Sequence, residues 1–405
     1  MRSHRFAWAI IGILAVAGSA CSSSSTSTTG SKSPVVVGIS LSLTGDFSDS
    51  GKTEQQGYQL WQSVQNAKGG MLGRQIQLKI VDDASSPDTA VSNYQNLITR
   101  DKVDLVFGPF STLLTAPSAL VAARYGYAFP DPADGAPKTL NEHLQNFFLM
   151  QPAGPLDTGL TWTRYILSLP ADQRPKSVAY ISLDDPFLVP AVALDRTAFT
   201  AAGIKNVYDN IYPTENVQMT PLVAAIAAAQ PDMVVAGTME ADSFDMVKAM
   251  VTEKFNPKYL FFMNGASDSA NFPTNVGKQN IEGIFSALGW YPEEKTPGNA
   301  EFVAEYIKKY GGDASQISAD TAEAYTIGQV ITEVVEKVGA IDNAKIIQQL
   351  HSSYWPSIQG SLAWDADGKP VGTLLLVEWI GGKLEVVYPA TDATHAPVVP
   401  KPNWP

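Results

Sequence analysis

The sequence predicts an α/β fold made of two doubly wound parallel-sheet lobes. The first observation is that short apolar runs, typical of strands buried on both faces, alternate with helical patterns from residue 35 to residue 150. The second is that the same alternation restarts and continues to residue 287. The third is that the later segments are too few for a further domain, so they must complete the two halves. Two such halves predict a crevice between them, which is a usual place for a small ligand.

Length and charge limit the classes of function. The chain has 405 residues, 45% of them hydrophobic, and a formal net charge of -12, as expected for a globular acidic protein. Nucleic-acid binding is not expected, because it depends on basic patches that displace counterions and the chain has no basic run. The single cysteine, Cys21, excludes an intrachain disulfide and a zinc site built from cysteines. We expect no metal and no cofactor.

The N-terminal segment has the pattern of an export signal. Residues 1–20 carry two arginines before an apolar stretch that is too short for a comfortable membrane span, and small residues precede Cys21. This arrangement resembles the lipobox of bacterial lipoproteins and implies a lipid on Cys21, although Gly18 stands where that motif usually has an apolar residue. The alternative is an ordinary secretory signal that leaves a free thiol. Residues 21–33 are rich in Ser and Thr and predict a flexible tether.

The first half of the fold begins at about residue 34. A glycine-rich stretch at 67–74 lacks the strand–glycine–helix order of a dinucleotide site, so we interpret it as a helix end and a turn. Asp82 and Asp83 follow a strand, where carboxylates commonly begin a helix rather than serve acid–base chemistry. The elements predicted for this half are strands at 35–41, 75–81, 105–107, 127–129 and 147–150 and helices at 53–66, 87–100 and 113–124.

The second half repeats this pattern without a literal sequence repeat. Its predicted helices cover 157–169, 189–202, 220–229 and 241–254, and its strands cover 177–181, 206–211, 233–236, 259–263 and 284–287. The chain then becomes mainly helical, at 299–310, 320–339 and 343–350, and ends in strands at 354–363, 373–379 and 383–388. The last two strands flank Gly381-Gly382, which predicts a hairpin turn. We expect residues 391–405, which end in a Pro-rich segment, to form a flexible tail.

These elements assign the chain to two lobes. We expect lobe 1 to comprise residues 34–152 and 288–361, because the late helices return to the first half. We expect lobe 2 to comprise residues 153–287 and 362–390, because the final hairpin returns to the second half.

The stretch DLVFGPFSTLLT at residues 104–115 organises the first half. An apolar strand ends at Gly108-Pro109, and Ser111 and Thr112 can begin the helix that follows. Free backbone N–H groups at a helix start, next to the carboxyl end of a strand, suit a carboxylate or another acceptor. The alternative is an ordinary strand–helix turn without a ligand. A second loop, at 130–137, carries a glycine that allows its backbone to approach a ligand closely.

These segments together resemble a known family. The matching stretches are VGISLSLTGDFSDSG at 37–51, NAKGGMLGRQIQLKIVDDASSPDTA at 66–90, DLVFGPFST at 104–112, DPADGAP at 131–137 and QGSLAWDADGKP at 359–370. The chain resembles the type I periplasmic solute-binding proteins from about residue 35 to residue 389, and within them the branched-chain amino-acid receptors of ABC transporters. The resemblance implies two lobes that are joined by three crossing strands and close on a ligand like a hinge.

The resemblance also implies a set of ligand-binding residues. In the family, the loop matched by 110–112 holds the carboxylate of the ligand. A carbonyl of the loop matched by Ala133 and Gly135 holds its ammonium group. Aromatic rings of lobe 2 cover the ligand, and Phe187 and Met239 or Glu240 fall at their positions. The acidic partner of the ammonium falls at Ala266, which cannot act as one; Asp268, Glu240 or Asp134 are the possible substitutes. The full predicted set is Phe47, Ser50, Phe110, Ser111, Thr112, Ala133, Asp134, Gly135, Asp185, Phe187, Met239, Glu240, Asn264, Ala266 and Asp268.

Several of these residues have structural alternatives. Phe110 and Phe187 also suit a hydrophobic core, because aromatic residues are commonly buried. Residues 111–112 also suit the cap of a helix. Asp134 and Asp185 also suit solvated loops, where most aspartates lie.

The function implied is that of an extracytoplasmic solute-binding lipoprotein. It would be a monomer, anchored to the membrane of a bacterium by the lipid on Cys21, that delivers a small solute to an ABC transporter permease and its ATPases. The solute remains open among an aliphatic amino acid, an amide, a urea-like compound and an aromatic acid. A sensor of the same fold is the alternative. An enzyme is not expected, because no GxSxG or HExxH motif supports a hydrolase that would use Asp82, Asp83 or Asp185.

Overall fold

The protein is described by a computed structural model that covers residues 33–134, 139, 142–154, 156–214, 217–269 and 271–405. Cys21, the signal segment and the predicted tether lie outside the described residues, as does Gly135. None of the helices within the described ranges is long and apolar enough to cross a membrane.

Strands and helices alternate along most of the chain. The strands are β1 (Val35–Leu41), β2 (Ile76–Asp82), β3 (Leu105–Phe107), β4 (Phe129–Asp131), β5 (Phe147–Leu149), β6 (Ser177–Leu183), β7 (Lys205–Tyr212), β8 (Met233–Gly237), β9 (Tyr259–Phe262), β10 (Ile284–Leu288), β11 (Trp355–Ser357), β12 (Gly360–Leu362), β13 (Leu375–Ile380) and β14 (Lys383–Tyr388). The helices are α1 (Ser48–Ala67), α2 (Pro87–Thr99), α3 (Thr112–Arg124), α4 (Asp157–Ser168), α5 (Leu188–Ala201), α6 (Met219–Ala229), α7 (Glu240–Thr252), α8 (Phe272–Val276), α9 (Asn299–Tyr310), α10 (Ala319–Val338) and α11 (Asn343–Ser352).

The strands of the first half form parallel sheets. The order is β2-β1-β3, and β4 pairs with β5 in parallel, with Phe129 opposite Phe147. Gly108 N, just after β3, donates to the Pro130 carbonyl oxygen at 2.8 Å and so connects the two groups of strands. The carboxyl ends of β3 and β4 therefore lie side by side, which brings the loops that follow them together.

The second half forms one seven-stranded sheet in the order β14-β13-β10-β9-β8-β6-β7. Strands β6 to β10 pair in parallel, whereas β13 runs antiparallel to β10 and pairs with β14 across the Gly381-Gly382 turn. The final hairpin thus returns to this sheet, as the sequence predicts.

Two large hydrophobic cores, with two smaller clusters beside them, accompany these sheets. One is built mainly from residues 35–150 and 290–364, and the other from residues 153–287 and 374–387. The chain passes from one core to the other three times, at 150–153, 287–290 and 364–374. The lobe boundaries stay a prediction, which this separation of the cores supports.

Helix α1 packs closely against α10 in the first core. Gly57 and Gly328 allow this approach, since a Cβ atom added at Gly57 would overlap the Thr321 carbonyl oxygen and one at Gly328 would overlap the Trp61 ring. Trp61 Nε1 then donates to Thr332 Oγ1 at 3.1 Å. The contact fixes α1 and α10 to each other along their length.

Three elements differ from the sequence prediction. Helix α1 begins five residues earlier than the predicted 53, because Gly51 serves close packing against the Ser42 backbone rather than a turn. Strand β4 continues through Pro130, whose missing N–H costs nothing at that position of a short parallel pair. The strand predicted at 354–363 is instead the hairpin β11–β12, with Gly360 at φ 88° in its turn.

The C-terminal segment is not a loose tail along its whole length. Val398 N donates to Glu378 Oε2 at 2.9 Å, and Trp404 Nε1 donates to the Phe255 carbonyl oxygen at 2.7 Å. Lys401 is buried and its Nζ donates to Asn256 Oδ1. The flexible tail predicted at 391–405 therefore differs from the structure, because side chains between the prolines find partners on the second core.

The close contact of α1 with α10 predicts the effect of one substitution. Gly57→Ala should lower the free energy of unfolding by about 1–3 kcal/mol, since the added methyl group forces the helices apart and outweighs the better helix propensity of alanine. Chemical denaturation monitored by circular dichroism measures this. Lys52→Ala, at an exposed position of the same helix, is the control and should change little. Equal stability of Gly57→Ala and the parent protein would contradict the packing described.

Candidate ligand site

A cavity lies where the carboxyl ends of strands from both halves meet. Its volume is about 100 Å³. Its walls come from the loops after β3, β4, β8, β9 and β10 and from the first turns of α10. The carboxyl ends of parallel strands are the usual position of ligands in open α/β sheets.

The loop between β3 and α3 forms one wall. Phe110, Ser111 and Thr112 all line the cavity and are buried. Ser111 is the residue before α3, but its side chain makes no capping hydrogen bond, and its Oγ has no hydrogen-bond partner. Capping alone therefore does not account for this serine.

Asp131 fixes this wall to the next loop. Its Oδ2 accepts a hydrogen bond from Thr115 Oγ1 of α3 at 2.7 Å, and its Oδ1 accepts from the backbone N–H groups of Ala133 at 3.0 Å and Asp134 at 2.7 Å. A side chain at Gly108 would overlap the same carboxyl group. The geometry of both loops thus depends on one buried carboxyl group.

The structure brings eight of the predicted residues together around the cavity. They share the property of following a strand of either half, and they are Phe110, Ser111, Thr112, Ala133, Asp134, Phe187, Met239 and Asn264. Asn264 Nδ2 lies 3.4 Å from Met239 Sδ, which joins the loops after β8 and β9. The loop with Gly135 falls partly outside the described residues.

Other predicted residues lie beside the cavity rather than on its wall. Phe47, Asp185 and Glu240 line a larger neighbouring cleft, which shares Met239 with the cavity. Ser50, on α1, donates its hydroxyl to Glu240 Oε1 at 2.9 Å and so connects α1 with α7.

Three predicted residues have well-defined structural roles. Asp185 accepts hydrogen bonds from the N–H groups of Phe187 and Leu188 and so holds the start of α5. The carbonyl oxygen of Ala266 accepts a hydrogen bond from Trp379 Nε1 at 2.8 Å. Asp268 accepts from both the backbone and the side chain of Asn271. Neither Ala266 nor Asp268 is part of the cavity wall.

Asp82 and Asp83 have a similar structural role. Asp83 accepts hydrogen bonds from the hydroxyls of Ser40 and Ser42, and Asp82 accepts one from Thr44. They hold the loop that follows β1 and do not begin α2, whose N-cap is Ser86.

The sequence reasoning missed two acids on the wall. Asp320 and Glu323 project from the first turns of α10 and line the cavity. Acidic residues in the first turn of a helix are common because they favour the helix dipole, so their local pattern did not distinguish them. Their spacing of three residues, which puts both on one helix face, was the available signal.

Buried carboxyl groups surround this part of the cavity. Glu54 of α1 is fully buried, and neither of its carboxyl oxygens has a hydrogen-bond partner. Burial, followed by repulsion from Asp320, raises its pKa well above the usual value. Burial and repulsion from Asp320 likewise raise the pKa of Glu323, which a hydrogen bond from Gln151 opposes.

Further buried acids lie between the cavity and the neighbouring cleft. Burial, then repulsion from Glu240 and Asp268, raises the pKa of Asp320 to about 8, although Thr53 Oγ1 donates to Asp320 Oδ2 at 3.3 Å. Burial also raises the pKa of Glu240 to about 7. Among the residues that the structure describes on the cavity wall, none is Lys, Arg or His. The described residues also contain no group of three or more potential ligands that could hold a metal ion.

A family model described as "Periplasmic binding protein" matches residues 34–383 of the chain. The chain is also similar to "Leu/Ile/Val-binding protein homolog 7" of Brucella melitensis, with 24% identity over 81% of this chain and 84% of the relative. It is 25% identical to an "Amino acid binding protein" of Pseudomonas aeruginosa, over 85% of this chain and 90% of that protein.

Solved structures show the same fold. The branched-chain amino acid transporter substrate binding protein LivJ of Streptococcus pneumoniae, in complex with isoleucine, matches with a TM-score of 0.77 and 19% identity over 91% of this chain and all of that chain. A solute binding protein of an ABC transporter from R. palustris, in complex with benzoate, matches with a TM-score of 0.76 and 20% identity over 91% of this chain and 97% of that chain. The predicted fold class, with its two parallel-sheet lobes, is confirmed.

The buried acids predict how stability depends on pH. The folded protein holds protons on these carboxyl groups more tightly than the unfolded chain does, so their contribution to stability should be complete below about pH 4, where the unfolded groups are protonated. It should fall as the pH rises toward about 7 and 8, the pKa values of Glu240 and Asp320 in the folded protein, and level off above them. Thermal unfolding at a series of pH values measures this. In Asp320→Asn the fall should be smaller by on the order of 1–3 kcal/mol, because one buried charge is removed.

Asp172→Asn is the control for this measurement, since it changes the same charge at an exposed position. It should keep the pH dependence of the parent protein. A parent protein whose stability rises steadily from pH 5 to pH 8 would show that these acids are ionised at little cost.

Proposed function

The chain belongs to the periplasmic binding protein family, and we propose that it captures a small solute outside the cytoplasm and delivers it to an ABC transporter permease. The single observation that carries this proposal is the cavity at the carboxyl ends of strands from both halves of the chain. A solute in this cavity would contact loops of both halves at once and so stabilise a closed form. The relatives that are named as amino-acid-binding proteins support the assignment.

The proposed ligand contacts follow from the wall residues. The loop after β3 offers the unpartnered hydroxyl of Ser111 and the backbone of Thr112 to an acceptor or donor of the solute. Phe110 and Phe187 supply apolar surface from the two halves. We propose the solute to be an amino acid or a related amide or carboxylate. Its ammonium would face Asp134, Asp320 or Glu323 on the wall, because the position that is acidic in the family is Ala266 in this chain.

A receptor that is held near the membrane would meet its permease more often. We propose that Cys21 carries a lipid, that residues 21–33 form a tether, and that the receptor is a monomer that docks on a permease with its ATPases. The lone cysteine directly after small residues supports lipidation. A tether of Ser and Thr residues would allow the domain to move relative to its anchor.

Solute binding is tested by a thermal-shift screen of the purified protein with amino acids, amides and aromatic carboxylates. A ligand at about a thousand times its Kd should add roughly 4 kcal/mol of stability, which raises the melting temperature clearly. Phe187→Ala should weaken the binding of the ligand found by about tenfold or more, because an aromatic wall residue is lost. Tyr354→Ala removes an exposed aromatic residue outside the cavity and is the control. Unchanged binding in Phe187→Ala would contradict the assignment of this cavity.

Lipidation is tested by fractionation of cells that express the full chain. The parent protein should be recovered with membranes, and Cys21→Ser should be recovered in the soluble extracytoplasmic fraction, because the thiol that would carry the lipid is absent. Ser22→Ala, next to the cysteine, is the control and should stay with the membranes. Recovery of both variants in the soluble fraction would favour an ordinary secretory signal.

A further inference from the structure

A second cavity lies beside the cavity at the strand ends, which is called the main cavity below. The volume of the second cavity is about 170 Å³, against about 100 Å³ for the main cavity. Its walls come from the loop after β9, from residues 288–293, from the segment before α10 and from the hairpin β13–β14. Capture of a solute in the main cavity does not account for this second space.

The inner wall of the second cavity is apolar. Leu288, Val377 and Val386 form a small hydrophobic cluster of their own, against which Tyr291 and Leu384 pack. All five residues line the cavity. Apolar side chains in protein interiors normally interdigitate with few voids larger than a water molecule. A cluster that borders a void of this size therefore leaves apolar surface that another molecule can cover.

The charged side chains of this cavity lie at its mouth. Among the wall residues that the structure describes they are Lys383, Glu293 and Glu385, and each is exposed or half-exposed. Because they include both signs, they select neither an anion nor a cation. A charge moved past them to the apolar inner wall would lose its hydration. The interior therefore suits an uncharged molecule.

Size and hydrogen bonding narrow the class of molecule further. A cavity of roughly 150 Å³ with apolar walls holds one benzene ring, so this cavity fits a single six-membered ring with one small substituent. Trp290 and Tyr291 add aromatic surface to the wall. The hydroxyls of Ser267 and Ser269 lie on the same wall. Ser269 Oγ donates to the Ile317 carbonyl oxygen at 3.0 Å and, as a hydroxyl, can still accept a hydrogen bond.

We propose that the second cavity is a binding site for a small uncharged aromatic molecule that carries one hydrogen-bond donor. Its walls join the two halves of the chain, since Ile317 belongs to the first large core and the hairpin β13–β14 to the second sheet. Ser267, Leu288 and Ala319 line both cavities and so form the partition between them. A molecule bound here would hold the two halves in the arrangement that a solute in the main cavity also favours, so each would tighten the binding of the other. This coupling rests on the proposed function, whereas the site itself does not.

Fluorine NMR with 4-fluorophenol as the probe tests the site on the purified protein. The resonance of the probe should broaden and shift in a saturable way. Fluorobenzene, which lacks the donor, should bind severalfold more weakly, and 4-fluorobenzoate, an anion of similar size, should not displace the probe. Leu384→Trp should weaken binding of the probe at least tenfold, because the larger side chain fills the cavity from a half-buried position. Leu384→Phe serves the same purpose if Leu384→Trp does not fold.

Two variants show which cavity the probe occupies. Ile211→Trp introduces the same side chain at an exposed position of β7 and should bind the probe as the parent protein does. Phe187→Ala changes the main cavity and should also leave binding of the probe unchanged. Loss of binding in Phe187→Ala, with full binding in the Leu384 variants, would place the probe in the main cavity and overturn the inference while leaving the proposed function intact. Absence of saturable binding to the parent protein would overturn it as well. The proposed function fails on a different result, a solute screen that finds no ligand for the main cavity.

The coupling is measured by small-angle X-ray scattering of the same protein. Saturation with 4-fluorophenol should lower the radius of gyration, because the bound molecule favours the closed arrangement of the two halves. Leu384→Trp should show no such change. An unchanged radius of gyration in the saturated parent protein would overturn the coupling.

Discussion

The carboxyl group of Asp131 is the point on which the first wall of the site depends. It accepts hydrogen bonds from the hydroxyl of Thr115 and from the backbone of residues 133–134, and it lies so close to Gly108 that no side chain fits there. A buried carboxyl group is tolerated when its oxygens are satisfied, and here the same bonds place two loops at a fixed distance. Without them, each loop would be positioned only by its own strand.

The sequence predicted the fold more completely than the site. Hydrophobic periodicity identified nearly every strand and helix. A strand buried on two faces and a helix buried along one stripe each have a pattern of apolar residues that is visible over a few neighbouring positions. The loop 110–112 was found for the same reason, since a strand, a break and a helix start are adjacent in sequence. Asp320 and Glu323 were missed because about 200 residues separate them from that loop, and only the packing of α10 on α1 brings them to it. Local sequence patterns do not show which residues so far apart in the chain come into contact.

The acids of the site oppose the stability of the fold. Each buried carboxyl group that remains charged destabilises the folded state, so their retention around a cavity indicates a use in binding. The helix pair α1–α10 contributes both stabilising and destabilising interactions. Gly57 and Gly328 let the helices pack tightly, whereas Glu54 and Asp320 are buried acids on the same two helices. The rigid packing holds together carboxyl groups that would otherwise separate.

The hydrogen bond between Ser50 and Glu240 has a consequence for affinity. It connects helix α1 of the first core with helix α7 of the second. A receptor that already favours its closed form has a larger competent fraction before the solute arrives, and its apparent dissociation constant falls in proportion. Under the proposed function, the same bias would reduce the difference between loaded and empty molecules that a permease detects. In a receptor of the proposed kind, the strength of this contact would set a compromise between sensitivity to scarce solute and a clear difference between the loaded and the empty form.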